Sequence, residues 1–258
     1  MLGQEIGHDD IKSFSSFWPG GYLEGDPLDP MGRSGYGDIG YMSVLHATYL
    51  ACIRPYINNT STVLELGPGR GGWTKCFLET SNVWCVDVIP EELNGFYNYL
   101  GRPNNVRYVQ ASDFSCSYLP DDTFDYLFSF GCFCHISPQN IWEYFRNLYP
   151  KMKRGAHAFI QYADYDKYNK VVNDYSHFSI ERIFERRLYT PFRLIYKLIK
   201  LLRGDHLKHL NKEVDSELKW YHLGKIEAGS ILESLGYKVI DLDVCVNHRD
   251  PVVHFVKP

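Results

Sequence analysis

The chain is poor in the features that would place it in a membrane, on a nucleic acid or in an oxidising compartment. No segment approaches about eighteen uninterrupted apolar residues, so no spanning helix is expected. The first residues carry no basic stretch followed by an apolar run, the pattern of a secretory signal. Net charge is only -4, with 27 Lys and Arg against 31 Asp and Glu, so no global field draws the chain to nucleic acid and no DNA partner is expected. The 7 cysteines are an odd number, and Cys52, Cys76, Cys85 and Cys245 fall in expected strands or helices. That usage fits reduced, buried thiols and a cytoplasmic location rather than a disulfide framework. Internal repeats and low-complexity tracts are also missing. What is abundant is apolar and aromatic residues: 45% of the 258 residues are hydrophobic and 16% are aromatic, with 20 Tyr and 15 Phe. This is enough for one large domain, or one domain with an insertion, and for a ring-lined pocket.

The densest local signal is Val63-Leu64-Glu65-Leu66-Gly67-Pro68-Gly69-Arg70-Gly71-Gly72-Trp73. A short apolar run that ends in crowded glycines reads as a buried parallel strand followed by a tight turn. Glycines there let the backbone come close to a ligand, since no Cβ intervenes. A second apolar run, Val83–Val86, closes on Asp87. A glycine turn after one strand and an acid at the end of the next is how a Rossmann-like sheet holds a nucleoside. The spacing is G-x-G-x-G rather than the G-x-G-x-x-G of dinucleotide sites, which disfavours NAD.

Along the chain, residues 1–40 combine Gly, Asp and Pro with aromatics, as in Trp18-Pro19-Gly20-Gly21-Tyr22. This is turn chemistry, read either as a loose arm or as an ordered arm folding over a pocket; Trp18, Tyr22 and Tyr36 favour the lid. A single domain, 41–258, would follow. Helical spacing over 41–57 leads into alternating strands (62–67, 83–88, 105–110, 124–130, 156–162) and helices (72–80, 90–100, 138–150), the signature of a parallel sheet with helices on both faces. Residues 165–222 break the rhythm as a helical insertion. Within it, segment 181–212 holds nine Lys or Arg and three acids around an apolar stripe of Phe192, Ile195, Tyr196, Ile199 and Leu202. It reads as an ordinary packed surface helix, a substrate lid, a homodimer contact or a peripheral membrane contact. A helix at 224–235 and strands at 237–246 and 252–257 close the chain. The link Asn247–Pro251 is too short for a parallel crossover, so the last strand must run antiparallel to its neighbour.

These landmarks carry a family resemblance. Glu65-Leu66-Gly67-Pro68-Gly69-Arg70-Gly71 resembles the E/D-x-G-x-G-x-G signature of class I S-adenosylmethionine-dependent methyltransferases. Asp87 falls at that family's ribose-binding acid. Ser112-Asp113-Phe114 resembles its adenine-contacting segment, and Leu119–Asp125 its lead into the fourth strand. The resemblance implies an α/β Rossmann-like, seven-stranded, mostly parallel sheet in the order 3-2-1-4-5-7-6 with the last strand antiparallel. It also implies S-adenosylmethionine as methyl donor and S-adenosylhomocysteine as product. Glu65, Gly67, Gly69, Gly71, Trp73, Asp87, Val88, Ser112, Asp113, Phe114 and Phe130 are the expected cofactor-binding residues.

The acceptor belongs beyond the fourth strand, where the chain reads Ser129-Phe130-Gly131-Cys132-Phe133-Cys134-His135-Ile136. The N/D-P-P-Y/F sequence of enzymes acting on base amino groups is missing, which argues against that chemistry. An unperturbed histidine titrates near neutrality, so His135 is the candidate general base, or else it only shapes the pocket. Cys132 and Cys134 form a lone C-x-C without two further ligands at zinc spacing, so no metal is expected. Asp164 is a second catalytic candidate, and Tyr162 and His222 join Trp18, Tyr22 and Tyr36 as acceptor-binding candidates. The arm also resembles that of bacterial methyltransferases of surface polysaccharides and secondary metabolites. The expected reaction is therefore O-methylation of a saccharide or a sugar-like or phosphate-bearing small molecule. The alternatives are another small acceptor through O or N, or an RNA or protein acceptor gripped by 181–212.

Overall fold

The computed structural model describes residues 25–32, 38–39, 42–170 and 220–258. Trp18, Tyr22, Tyr36 and the 181–212 segment lie outside the described residues. At the described end of the arm, His46 Nδ1 donates to the Pro27 carbonyl at 2.8 Å and Ser43 N to Pro30 O at 3.0 Å, so residues 25–32 sit against the first helix.

Seven strands form one sheet: β1 (Thr62–Leu66), β2 (Asn82–Asp87), β3 (Val106–Gln110), β4 (Phe124–Ser129), β5 (Met152–Gln161), β6 (Lys238–Asp241) and β7 (Val252–Val256). Their order is 3-2-1-4-5-7-6, parallel except β7, which is antiparallel to both β5 and β6. The expected class and the closing antiparallel strand are both seen. The pleat sends alternate residues to opposite faces. Leu64, Leu66, Leu127, Ala158 and Ile160 pack on one side with Ile141, Phe145 and Leu148 of α4 (Pro138–Leu148) and Ala228 and Leu232 of α5 (Lys225–Ser234). Val63, Val83, Cys85, Tyr126, Phe128 and Phe159 pack on the other with Leu45, Ile53, Phe77 and Phe96. Each fully buried aromatic of these layers contributes about 1.5–3 kcal/mol.

Several expected elements are altered by local chemistry. The helix at 41–57 is α-helical only over α1 (Val44–Thr48), π-helical over Tyr49–Ile53 and 3-10 over Arg54–Tyr56, where Pro55 cannot continue an α ladder. The helix expected at 72–80 is a 3-10 turn, Thr74–Phe77. The two glycines before it supply no cap, and the Thr74 hydroxyl bonds the sheet instead. The helix at 90–100 divides into α2 (Glu91–Asn94) and α3 (Phe96–Leu100) at Gly95, whose φ of 61° no continuous helix allows. The strand expected to reach 246 stops at Asp241. Beyond it the Asp243 carboxylate takes Cys245 N and pairs with Lys167 and Lys225, and Cys245, with φ 58°, is exposed rather than buried.

Candidate cofactor and acceptor site

One cleft opens at the carboxyl ends of β1, β2 and β4. Gly67, Gly69, Asp87, Val88, Phe114 and His135 all line it. The glycine loop is shaped by close approach. Gly67 has φ 71°, and a Cβ there would lie 2.6 Å from the Cys132 Cβ and 2.8 Å from its Sγ. Gly67 N donates to Val86 O at 2.8 Å, which ties the loop to β2. Gly71 serves a different end: its φ is 93° and it backs on the Phe96 ring, 3.0 Å from a built Cβ, away from the cleft lining.

Asp87 closes β2 with its carboxylate already engaged. Oδ1 accepts from Ile89 N at 3.0 Å; Oδ2 accepts from Gly69 N and Asn94 Nδ2, both at 3.2 Å. Burial pushes its pKa up to about 6, against the opposing pull of the Ile89, Gly69 and Asn94 donors. Asn94 was not legible as a site residue. It is buried, and its amide nitrogen also reaches Tyr108 Oη at 2.7 Å, while that hydroxyl donates to Ile89 O at 2.7 Å.

Other expected cofactor contacts lie elsewhere. Glu65 shares the pleat face of Val63 and is 2% exposed beneath the loop. Thr74 Oγ1 donates to its Oε2 at 2.6 Å and Cys85 Sγ lies at 3.6 Å. Burial raises its pKa to about 7, Thr74 and Cys85 oppose this, and the Asp87 charge adds to it. It therefore props the loop from behind and does not line the cleft. Trp73 and Phe130 are core residues: the Trp73 ring stands 5.2 Å from Phe128 and 4.9 Å from Phe130. Ser112 is exposed, and Asp113 turns onto its own loop, accepting from Ser115 N at 2.8 Å; Ala111 and Phe114 form that wall instead.

On the acceptor side, His135 ends a 3-10 turn, Phe133–His135, and faces the cleft beside Ile136, Ser137 and Asn140. Cys132 also lines it, its thiol held up near about 12 by burial and so protonated. Asp164 does not reach the cleft. It is buried, and Oδ1 takes the amides of Asp166 at 2.9 Å and Lys167 at 3.1 Å, an N-cap of the helix at 165–170. Tyr162 is 1% exposed and donates to Leu242 O at 2.9 Å, locking β5 to the segment after β6. His222 takes Tyr165 N on its Nδ1 at 3.0 Å, on the outer side; its neighbour Tyr221, whose N donates to Cys134 O at 2.9 Å, lines the cleft in its place. Alternate residues of an extended strap point opposite ways, so this register was not readable from sequence. Among the described residues no group of three metal-ligating side chains occurs, and no helix is long and apolar enough to cross a membrane.

The residues present fit S-adenosylmethionine: a loop that a Cβ would block, a carboxylate acceptor at the second strand end, and apolar walls for an adenine. The sheet order and this cleft define a class I S-adenosylmethionine-dependent methyltransferase. A family model described as a methyltransferase domain matches residues 41–218, and the chain belongs to that family. Among solved structures, it is similar to a geranyl diphosphate methyltransferase solved with GPP and sinefungin (TM-score 0.58, 10% identity, 97% of this chain and 98% of that chain). It is also similar to a methyltransferase in complex with the Haloferax volcanii Trm112 methyltransferase activator (0.52, 13%, 83% and 89%). A third is the mitomycin 7-O-methyltransferase MmcR (0.50, 13%, 84% and 54%). At these identities the likeness speaks for the fold alone. No curated protein sequence matches the chain.

Proposed function

We propose that this enzyme methylates a hydroxyl oxygen of a saccharide or sugar-like small molecule. The observation that carries the reading is that His135 opens onto the same cleft as Gly67, Gly69 and Asp87. An imidazole there accepts the hydroxyl proton as the new bond to oxygen forms. The bound cofactor supplies a methyl group already activated on a sulfonium. The protein's own part is alignment and exclusion of water, which falls to the glycine loop, Ile136, Tyr144 and Tyr221.

The apolar wall of Ile136, Tyr144 and Tyr221 favours a second reading, a flat apolar small-molecule acceptor.

Release of S-adenosylhomocysteine, followed with sugar, phenol, amine and RNA acceptors in parallel, tests the reading. A sugar-dependent signal that falls about a hundredfold in His135→Ala is expected. Turnover confined to phenols, amines or RNA, or a His135→Ala enzyme of normal rate, overturns it.

A further inference from the structure

The Asp87 carboxylate has too little capacity left for a whole ribose. An ionised carboxylate offers about four lone-pair sites, two on each oxygen. Gly69 N and Asn94 Nδ2 occupy both sites on Oδ2, and Ile89 N occupies one on Oδ1. The Val88 amide also bears on this carboxylate, so at most one ribose hydroxyl finds a place and the other needs a different acceptor close by.

Asn94 provides one. Its orientation is fixed without ambiguity, because Tyr108 Oη gives its proton to Ile89 O and so must accept from Asn94; the nitrogen faces Tyr108 and Asp87. That leaves Asn94 Oδ1, which is buried and has no partner among the described residues. Asn94 is 2% exposed, yet it lines the same cleft as Asp87. A buried carbonyl with both lone pairs unused is rare in a folded protein and calls for a donor.

We propose that Asn94 is a second ribose-binding residue, its Oδ1 accepting the hydroxyl that Asp87 cannot. The same side chain thereby couples the two acceptors, since its amide holds Asp87 Oδ2. Tyr108 is the positioning residue that keeps the amide from flipping. This rests on the S-adenosylmethionine reading of the cleft and names a contact within it.

The test crosses residue with ligand. Dissociation constants are measured by calorimetry for S-adenosylhomocysteine and its 2′-deoxy and 3′-deoxy analogues, with the full chain and with Asn94→Ala and Asn94→Asp. The wild type should bind the parent ligand, and Asn94→Ala should weaken it about three- to tenfold, the loss of one neutral hydrogen bond. With one of the two deoxy analogues that loss should disappear, because the partner hydroxyl is already gone. Asn94→Asp keeps the shape but sets a second carboxylate against Asp87, and should weaken all three ligands. An equal loss in Asn94→Ala for all three ligands makes Asn94 a packing residue and overturns the contact. If Asn94→Ala fails to fold, the two deoxy analogues on Asn94→Ser decide in the same way. Wild-type protein that binds none of the three ligands overturns the cofactor reading itself, a separate outcome.

Discussion

Glu65→Gln should stabilise the ligand-free protein, by an amount that grows as pH rises from about 4.5 to about 7 and is level above that. Glu65 is 2% exposed, and no cation stands among the described groups that set its pKa, which burial raises from the ordinary 4.5 to about 7. The sign follows from linkage. A carboxyl whose folded pKa is raised favours the fold while protonated; that contribution is complete below about 4.5 and is lost as pH rises through about 7. At 1.36 kcal/mol per pH unit the gap amounts to about 3 kcal/mol, and local relaxation around a buried charge brings the expected effect to about 1–3 kcal/mol. Glutamine is isosteric, and its carbonyl still accepts from the Thr74 hydroxyl, now 2.6 Å from Oε2. Urea unfolding of both proteins at pH 4.5 and pH 8.5 measures the difference. Curves that coincide at low pH and separate at high pH, with the variant more stable, are expected. A variant less stable by the same amount at both pH values would show that the charge carries no burial penalty and that Glu65 contributes only its hydrogen bonds.

Two further outcomes follow from the same loop. Gly67→Ala imposes a left-handed backbone at φ 71° on a residue with a Cβ, about 1–2 kcal/mol, and drives that Cβ to 2.6 Å from Cys132, about 1–3 kcal/mol more. A cycle with Cys132→Gly should recover the second share and not the first, read by chemical denaturation; zero coupling would mean the contact relaxes freely. Binding of cationic S-adenosylmethionine should expel protons from Asp87 and Glu65, whose pKa values near 6 and 7 leave both partly protonated at pH 6.5. Calorimetry in buffers of different ionisation heat should show release at pH 6.5 that vanishes by pH 9, and no release at pH 6.5 would contradict the raised acids.

How far the sequence was legible depends on whether a residue's role is set by its own strand or by a distant one. The strand–helix alternation, the closing antiparallel strand and the place of Asp87 follow from apolar runs, link lengths and a glycine cluster, all local quantities, whereas the sheet order came from the family resemblance. Gly67 and Gly69 reach the cleft because they directly follow β1. Gly71, two residues on, answers instead to Phe96, and nothing near it in sequence announces that ring. Trp73 and Phe130 sat inside recognisable motifs, but two large rings 4.9 Å apart are better placed in the core than in a polar cleft. Asn94 was missed because α2 looks like an ordinary surface turn with Glu91 and Glu92 at its start; only the fold brings it to Asp87 and Tyr108. Asp164 and Tyr162 were read for their chemistry, yet the chain uses them to cap one helix and to fasten β5 to the segment after β6.

The pleat explains why the acids divide their labour. Glu65 and Asp87 both point to the face of Val63, Val83 and Cys85, and both flank the glycine loop, one beneath it and one at its rim. Burial is the main cause of both raised pKa values, and the Asp87 charge adds a smaller repulsion to that of Glu65. A nucleoside hydroxyl or a positive charge placed at that rim relieves the repulsion, while water at high dielectric screens it only where it can enter. The loop is therefore held by groups whose energies improve on binding, and the ligand that improves them most both donates hydrogen bonds and carries positive charge. Neutral or anionic nucleosides offer only part of that relief. The preference for S-adenosylmethionine thus lies in the electrostatics of Glu65 and Asp87 as much as in the spacing of the glycines between them.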